Sequence, residues 1–108
     1  MDYTISIQNI ITYIDQHLCE QLTLEDVSRM AGFSRYHFLR IFKRETGIGI
    51  RDYIKTRRMY RAVDFLLTTE LSVMDIAIIL QFDSQEAFTR AFKREYSLPE
   101  EKIPLMQN

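Results

Sequence analysis

One segment of this chain occurs twice, at an offset of fifty residues. Residues 34–45 read SRYHFLRIFKRE and residues 84–95 read SQEAFTRAFKRE, with seven of the twelve paired positions identical. Two related segments at such a separation indicate one supersecondary unit that is used twice. In each copy the two phenylalanines are one helical turn apart, and the shared arginine and lysine lie around the other side of the helix. The chain is therefore predicted to present the same basic helix twice, which suits a periodic partner.

Charge is segregated along the chain, although the net charge is only −1. Residues 1–28 carry a charge of −5, residues 29–61 carry +8 and residues 62–108 carry −4. A concentrated basic segment favours binding to a polyanion more than the net charge implies. The alternative is a solvated helix face with ordinary ion pairs.

Length and composition indicate a small globular protein. A length of 108 residues suits one compact domain or two small subdomains that share a core. A hydrophobic content of 46% is enough to form a globular core. The sequence has no apolar run of transmembrane length and no signal peptide at its N-terminus. Its one cysteine, Cys19, excludes an internal disulfide and fits a reducing compartment. These features predict a cytoplasmic protein with no membrane partner.

Helical periodicity dominates the first half of the chain. A first helix is predicted over about 4–19, where the apolar residues follow the i, i+3, i+4 spacing: Ile7, Ile10, Ile11, Ile14 and Leu18. Thr23, with Asp26 three residues on, marks the start of a second helix, whose predicted inner face is Leu24, Val27, Met30 and Ala31. After the Gly32-Phe33 break, Ser34 is the predicted N-cap of a third helix that runs to about Thr46.

The second half repeats this arrangement after a long helix. That helix is predicted from about 50 to 67, with the buried face Tyr53, Ile54, Met59, Ala62, Val63, Leu66 and Leu67. Ser72 with Asp75 repeats the start signal, and the inner face repeats as Val73, Ile76, Ile79 and Leu80. Ser84 caps a sixth helix, and Leu98-Pro99 opens a last short one. The predicted fold class is all-α, with about seven helices and no strand.

A helix, a short turn and a second helix form a helix-turn-helix unit, and the repeat covers both helices of each unit. A single unit is a weak signal, because any helical hairpin resembles it. Two related units joined by a basic helix are a stronger signal. The predicted organisation is an N-terminal helix-turn-helix subdomain at 1–50, a linker helix at 51–68 and a C-terminal helix-turn-helix subdomain at 69–108.

The chain resembles the DNA-binding domain of the AraC/XylS family over nearly its whole length. The matching residues are Ala31-Gly32-Phe33-Ser34, Phe38-x-Arg40-x-Phe42-Lys43-x-x-x-Gly47, Tyr53-Ile54-x-x-x-Arg57, Asp75-Ile76-Ala77, Phe82-x-Ser84-x-x-x-Phe88-x-Arg90-x-Phe92-Lys93 and Pro99. The resemblance implies seven helices, with two helix-turn-helix units joined by a long helix. Because there is no room for a small-molecule effector domain, the chain looks most like the stand-alone MarA/SoxS/Rob type of transcriptional activator.

This resemblance implies a transcription regulator of the bacterial nucleoid that binds double-stranded promoter DNA as a monomer. It further implies activation rather than repression, contact with RNA polymerase and no cofactor. The sequence departs from the family pattern at Gln81, where the second turn usually has glycine, so that backbone must avoid the left-handed conformation or accept strain. The ending Pro99-Glu100-Glu101-Lys102-Ile103 is also atypical. Tyr36, Leu39 and Glu86 replace residues common in stand-alone relatives, which predicts a different target sequence.

Two helices are predicted to read DNA, at about 34–46 and 84–96, because an α-helix fits the major groove and its N-terminal half reaches base edges. The base-reading candidates are Arg35, Tyr36, Leu39, Arg40, Gln85, Glu86, Thr89 and Arg90. Arginine suits guanine, Gln85 suits adenine and Glu86 suits the amino group of cytosine, whereas Tyr36 or Leu39 suits a thymine methyl. The phosphate-binding candidates are Ser34, Lys43, Arg44, Arg51, Lys55, Arg58, Ser84, Lys93 and Arg94.

Other interpretations of these residues remain. Arg40 and Arg90 are alternatively ion-paired surface residues, and Arg57 either holds the linker helix or contacts DNA. Glu86 either reads cytosine or orients Arg90, its i+4 neighbour. The main functional alternative is a helical protein-interaction module, an adaptor or antagonist that binds proteins through its acidic ends.

Catalysis is not expected from this sequence. His17 and Cys19 diverge on a helix and so do not form a metal pair. His37 has no nucleophile or acid at a recognisable spacing, and no glycine loop is present to hold phosphate.

Overall fold

This computed structural model describes residues 4–97, which contain six α-helices joined by turns and loops. They are α1 (Thr4–Gln16), α2 (Leu24–Ala31), α3 (Arg35–Thr46), α4 (Ile50–Thr68), α5 (Val73–Ile79) and α6 (Gln85–Tyr96). Between residues 4 and 97 there is no strand, so the predicted all-α class is confirmed. The seventh helix predicted from Leu98-Pro99 lies outside the described residues. Among the six helices, none has the length and apolar character needed to cross a membrane.

The chain divides into two compact units, unit 1 (Met1–Lys55) and unit 2 (Thr56–Asn108). Unit 1 contains the helix-turn-helix pair α2–α3, and unit 2 contains the pair α5–α6. Helix α4 begins in unit 1 and ends in unit 2. Each unit has a hydrophobic core of its own, as expected for a supersecondary arrangement that forms twice.

The core of unit 1 is built around the two phenylalanines of α3. Phe38 and Phe42 are fully buried, with ring centroids 5.7 Å apart. Tyr53 of α4 meets Phe42 edge-on at 5.6 Å. The remaining buried apolar residues come mainly from α1 and α2: Ile7, Ile10, Ile14, Leu18, Val27, Ile41 and Ile50. Burial of one phenylalanine side chain such as Phe38 contributes roughly 1.5–3 kcal/mol to the free energy of unfolding.

The core of unit 2 repeats this packing. Phe88 and Phe92 of α6 are buried with centroids 5.9 Å apart, and Phe82 from the turn meets Phe88 edge-on at 5.3 Å. Tyr96 packs against Phe92 at 4.8 Å, and burial, together with Glu95 and Tyr60, raises the pKa of its hydroxyl. The other buried residues are Met59, Ala62, Val73, Ile76, Ala77, Leu80 and Ala91.

Hydroxyl side chains cap both helices of each helix-turn-helix pair, as the sequence predicts. The hydroxyl oxygens of Thr23, Ser34, Ser72 and Ser84 accept hydrogen bonds from the backbone N–H three residues on, at 3.0, 3.2, 3.0 and 3.0 Å. Each bond satisfies a backbone donor that has no partner inside the helix, which is typically worth about 1 kcal/mol. These caps set where α2, α3, α5 and α6 start, and so which residues face the core.

Left-handed residues end α2 and α5 with the same pattern of hydrogen bonds. Gly32 has φ 80°, and the N–H of Phe33 donates to the carbonyl of Ser28 at 2.9 Å. Gln81 has φ 69°, and the N–H of Phe82 donates to the carbonyl of Ala77 at 2.9 Å. Both are Schellman caps, but in unit 2 the left-handed position is occupied by a residue with a Cβ atom. Of the two outcomes expected for Gln81, the backbone adopts the strained one.

The variant Gln81→Gly is expected to raise the free energy of unfolding by about 0.5–1 kcal/mol. Glycine removes the steric cost of the left-handed conformation, and part of this gain is offset by the greater entropy of glycine in the unfolded chain. Urea unfolding followed by circular dichroism measures the difference. The matched control is Gly32→Gln, which introduces the same strain in unit 1 and should lower stability by about the same amount. A destabilised Gln81→Gly protein would contradict this explanation.

Three predictions about buried residues and helix ends were wrong. Helix α1 ends at Gln16 rather than near residue 19, although Leu18 is still buried after the helix has ended. Met30 is 52% exposed, because the inner stripe of α2 passes through Val27 and Ser28 and Met30 lies roughly 100° away from its centre. Leu67 is 71% exposed at the edge of the buried stripe of α4.

Candidate nucleic-acid interface

The exposed face of α3 carries the first set of predicted base-reading residues. Because Phe38, Ile41 and Phe42 point into the core of unit 1, the geometry of the helix puts Tyr36, Arg40 and Lys43 on the opposite side, within about 60° of one another. Tyr36 is 71% exposed, and Arg35, Leu39 and Arg40 are also exposed. The structure thus presents all four predicted base-reading residues of α3 to solvent on one helix.

Arg40 stacks on an aromatic ring rather than pairing with an acid. Its guanidinium carbon lies 5.8 Å from the centroid of the Tyr36 ring, one turn earlier on α3. Within residues 4–97, no carboxylate lies at ion-pair distance from Arg40. The ion-paired interpretation of Arg40 is therefore not supported. A cation–π contact of this kind limits the rotamers of the arginine and leaves its N–H groups available to a ligand.

The contact of Arg40 with Tyr36 is not among those predicted from the sequence, although a signal for it is present there. An aromatic residue and an arginine at i and i+4 are neighbours on a helix surface. From the sequence, Tyr36 is predicted only as an apolar contact for a thymine methyl. The structure adds a contact between its ring and the guanidinium group of Arg40.

Helix α6 carries the second set on the corresponding face. With Phe88, Ala91 and Phe92 in the core of unit 2, the residues opposite them are Glu86, Arg90 and Lys93. Glu86 and Arg90 are exposed, whereas Gln85 and Thr89 are half-buried at the sides of this face. No ion pair joins Glu86 to Arg90 in the described part of the chain, so the proposed orienting role of Glu86 has no support in this structure.

The phosphate-binding candidates lie at the ends of the same helices and along α4. Ser34 and Ser84 are exposed N-caps, which places them at the start of α3 and α6. Lys43 and Arg44 lie in the last turn of α3, and Lys93 and Arg94 in the last turn of α6. Arg51 and Lys55 are exposed one turn apart on α4, whereas Arg58 is half-buried. Basic groups thus flank both helix faces, as phosphate contacts on either side of a groove require.

Arg44 and Arg57 contact side chains of their own helices. Arg44 lies 3.5 Å from the carboxylate of Glu45, a surface pair that is worth at most about 1 kcal/mol and can exchange for a phosphate. Arg57 lies over the ring of Tyr60 at 5.2 Å, the same kind of contact that Arg40 makes with Tyr36, so this contact does not decide between the two interpretations of Arg57.

Known proteins are similar to this chain in sequence and in fold. The family model of a helix-turn-helix domain matches residues 27–101. The regulatory protein SoxS of Escherichia coli (strain K12) is 37% identical over 90 residues, which cover 83% of this chain and 84% of SoxS. The uncharacterized HTH-type transcriptional regulator YbfP of Bacillus subtilis (strain 168) is 44% identical over 99 residues, or 92% of this chain. This chain spans only 34% of the length of YbfP.

A solved structure contains the same fold with a nucleic acid bound. The DNA-binding domain of AdpA, in complex with a target DNA, is similar to this chain with a TM-score of 0.77 and 29% identity, covering 82% of this chain and 80% of that chain. Together with the family model and the match over most of SoxS, this similarity establishes the family. The chain belongs to the AraC/XylS family of helix-turn-helix DNA-binding domains.

Proposed function

We propose that this chain is a sequence-specific, double-stranded DNA-binding transcription regulator that acts as an activator. The observation that carries the proposal is the pair of related helices, α3 and α6, each of which has an exposed arginine and a lysine opposite a buried phenylalanine pair. Lys43 is exposed, and Lys93 is half-buried. The names of the relatives support it, because SoxS is a regulatory protein and the AdpA domain was solved with its target DNA.

In this proposal each helix enters a segment of the major groove. Successive segments on one side of B-DNA are one turn, about 34 Å, apart. Arg40 and Arg90 each donate two hydrogen bonds to O6 and N7 of a guanine, which is the commonest specific contact in protein–DNA complexes. The flanking Lys43, Arg44, Lys93 and Arg94 bind phosphates and fix the position of each helix on the duplex.

The two helices are expected to read different bases. The paired positions Arg35/Gln85, Tyr36/Glu86 and Leu39/Thr89 differ on the two reading faces, although the arginine and lysine are shared. Gln85 is suited to adenine and Glu86 to the amino group of cytosine, whereas Tyr36 and Leu39 are suited to a thymine methyl. The target site should therefore be asymmetric, and one monomer should occupy all of it.

The remaining parts of the proposal follow from the family. Residues 51–68 serve as the linker between the two helix-turn-helix pairs. The exposed basic residues Arg51 and Lys55 of this linker add phosphate contacts in unit 1. As an activator the bound protein contacts RNA polymerase at the promoter. These assignments rest on resemblance together with the charge of α4.

Selection from a pool of random DNA duplexes at moderate salt tests the proposed function. We expect an enriched, asymmetric sequence with guanines for Arg40 and Arg90. The logarithm of the binding constant should fall linearly with the logarithm of the salt concentration, with roughly 0.9 added to the slope by each phosphate contact. If no DNA sequence is enriched, the protein is not a sequence-specific DNA-binding regulator. A helical protein-interaction module then becomes the better interpretation.

A further inference from the structure

Helix α5 exposes apolar side chains on the side that faces away from its core. Val73, Ile76 and Ala77 are buried, whereas Met74 and Ile78 are 56% and 63% exposed. The two exposed residues are at i and i+4, so they are neighbours one turn apart. We refer to Met74, Asp75 and Ile78 as the outer face of α5. Leu67 and Leu71, which precede the helix, are also exposed.

Unit 1 reveals what the fold itself requires at these positions. With the offset of forty-nine residues that relates α2 to α5, Met74 corresponds to Glu25 and Ile78 to Arg29. In unit 1 these two side chains form an ion pair of 3.0 Å that is well exposed to solvent. A charged pair is therefore compatible with the packing of this helix. The apolar pair of unit 2 contributes nothing to its own core, which points to a contact outside the unit.

The charge around the outer face limits what such a contact can be. Residues 62–89 contain five acids and no lysine or arginine. Four of these acids are exposed: Asp75 on α5, Glu70 and Asp83 in the segments that precede and follow it, and Asp64 on α4. Phosphate groups of DNA or of an anionic membrane are repelled by this surface, and a second copy would oppose the same acids to themselves.

We propose that the outer face of α5 binds another protein through an amphipathic helix whose apolar ridge is flanked by lysine and arginine. Met74 and Ile78 supply the apolar contact. The carboxylates of unit 2 pair with the lysine and arginine side chains of the partner helix. This surface does not depend on the reading of DNA, because none of its residues belongs to the predicted base or phosphate contacts.

The double variant M74E/I78R tests the proposal with little risk to the fold. It introduces at α5 the same acid–base pair that α2 carries as Glu25 and Arg29, and it leaves the net charge unchanged. Circular dichroism and thermal unfolding should match the original protein, and affinity for selected DNA should be unchanged. The control variant is Met30→Gln, which replaces an exposed methionine of unit 1.

The probe is a phage-displayed library of random peptides, selected on the original protein and then assayed on the variants. We expect enriched peptides with apolar residues at i and i+4 beside lysine or arginine. They should bind M74E/I78R about tenfold or more weakly, and bind Met30→Gln as well as the original protein. Several results would overturn the proposal: no enrichment, enrichment of acidic peptides, equal binding to M74E/I78R, or loss of DNA binding in that variant. Concentration-dependent dimerisation that M74E/I78R abolishes would assign the face to a second copy instead.

Discussion

Replacing Phe88 by alanine is expected to lower the free energy of unfolding by about 3–5 kcal/mol. Phe88 is completely buried and lies between Phe82 at 5.3 Å and Phe92 at 5.9 Å. Its removal leaves a cavity beside Phe92 of α6 and Phe82 of the turn between α5 and α6, and rings fixed in this way do not close the gap. Natural domains are stable by about 5–15 kcal/mol, so this loss is a large part of the total.

Urea unfolding followed by circular dichroism measures the effect of Phe88→Ala. The control is Phe88→Leu, which keeps most of the volume and should cost less than half as much. Phe38→Ala, at the equivalent buried position in unit 1, should cost a similar amount. A loss below about 1 kcal/mol for Phe88→Ala would mean that this ring does not organise the core of unit 2.

Replacing Arg40 by alanine is expected to weaken binding to the selected DNA by about 1–3 kcal/mol and to relax the choice of base at one position. The cause would be the loss of the two hydrogen bonds that we propose between Arg40 and one guanine, together with the loss of the contact with Tyr36. Arg40→Lys, which keeps the charge but not the planar fork, should lose most of this discrimination as well.

Affinities for the selected duplex and for a scrambled duplex, measured by fluorescence anisotropy at several salt concentrations, separate the possible roles of Arg40. The comparison variant is Lys43→Ala, because Lys43 is a predicted phosphate contact on the same helix. It should weaken both duplexes about equally and lower the salt slope by about 1. If Arg40→Ala also weakens both duplexes equally, Arg40 is a phosphate contact and does not read a base.

Much of the local structure was predictable because its causes are local. A hydroxyl cap such as Ser34 or Ser84 satisfies backbone groups within its own first turn, so a few residues of sequence are enough to locate the start of a helix. The phenylalanine pairs lie at helical spacing and carry the largest apolar area of each unit. Their burial therefore followed from the periodicity alone.

The sequence predicts which helices carry the base-reading candidates, but it does not predict the contacts that these side chains make with one another. All eight base-reading candidates lie on α3 or α6, with only Gln85 and Thr89 half-buried. Periodicity does not determine which neighbour an exposed arginine selects, because aromatic rings and carboxylates compete for it. For Arg40 the ring of Tyr36 is the partner, and for Arg90 no carboxylate of the described residues lies at ion-pair distance.

The sequence by itself determined the repeat, the helix starts, the inward phenylalanines and the basic residues opposite them. These features depend on hydrogen bonds and spacing within a single helix. Only the tertiary structure decided that Met30 is exposed, that Gln81 takes the left-handed conformation of its counterpart Gly32, and that α5 exposes Met74 and Ile78. The exposed apolar residues depend on packing between helices, because several apolar side chains compete for a limited core volume. The conformation of Gln81 depends on the turn between α5 and α6, which requires a left-handed residue at this position even when that residue is not glycine.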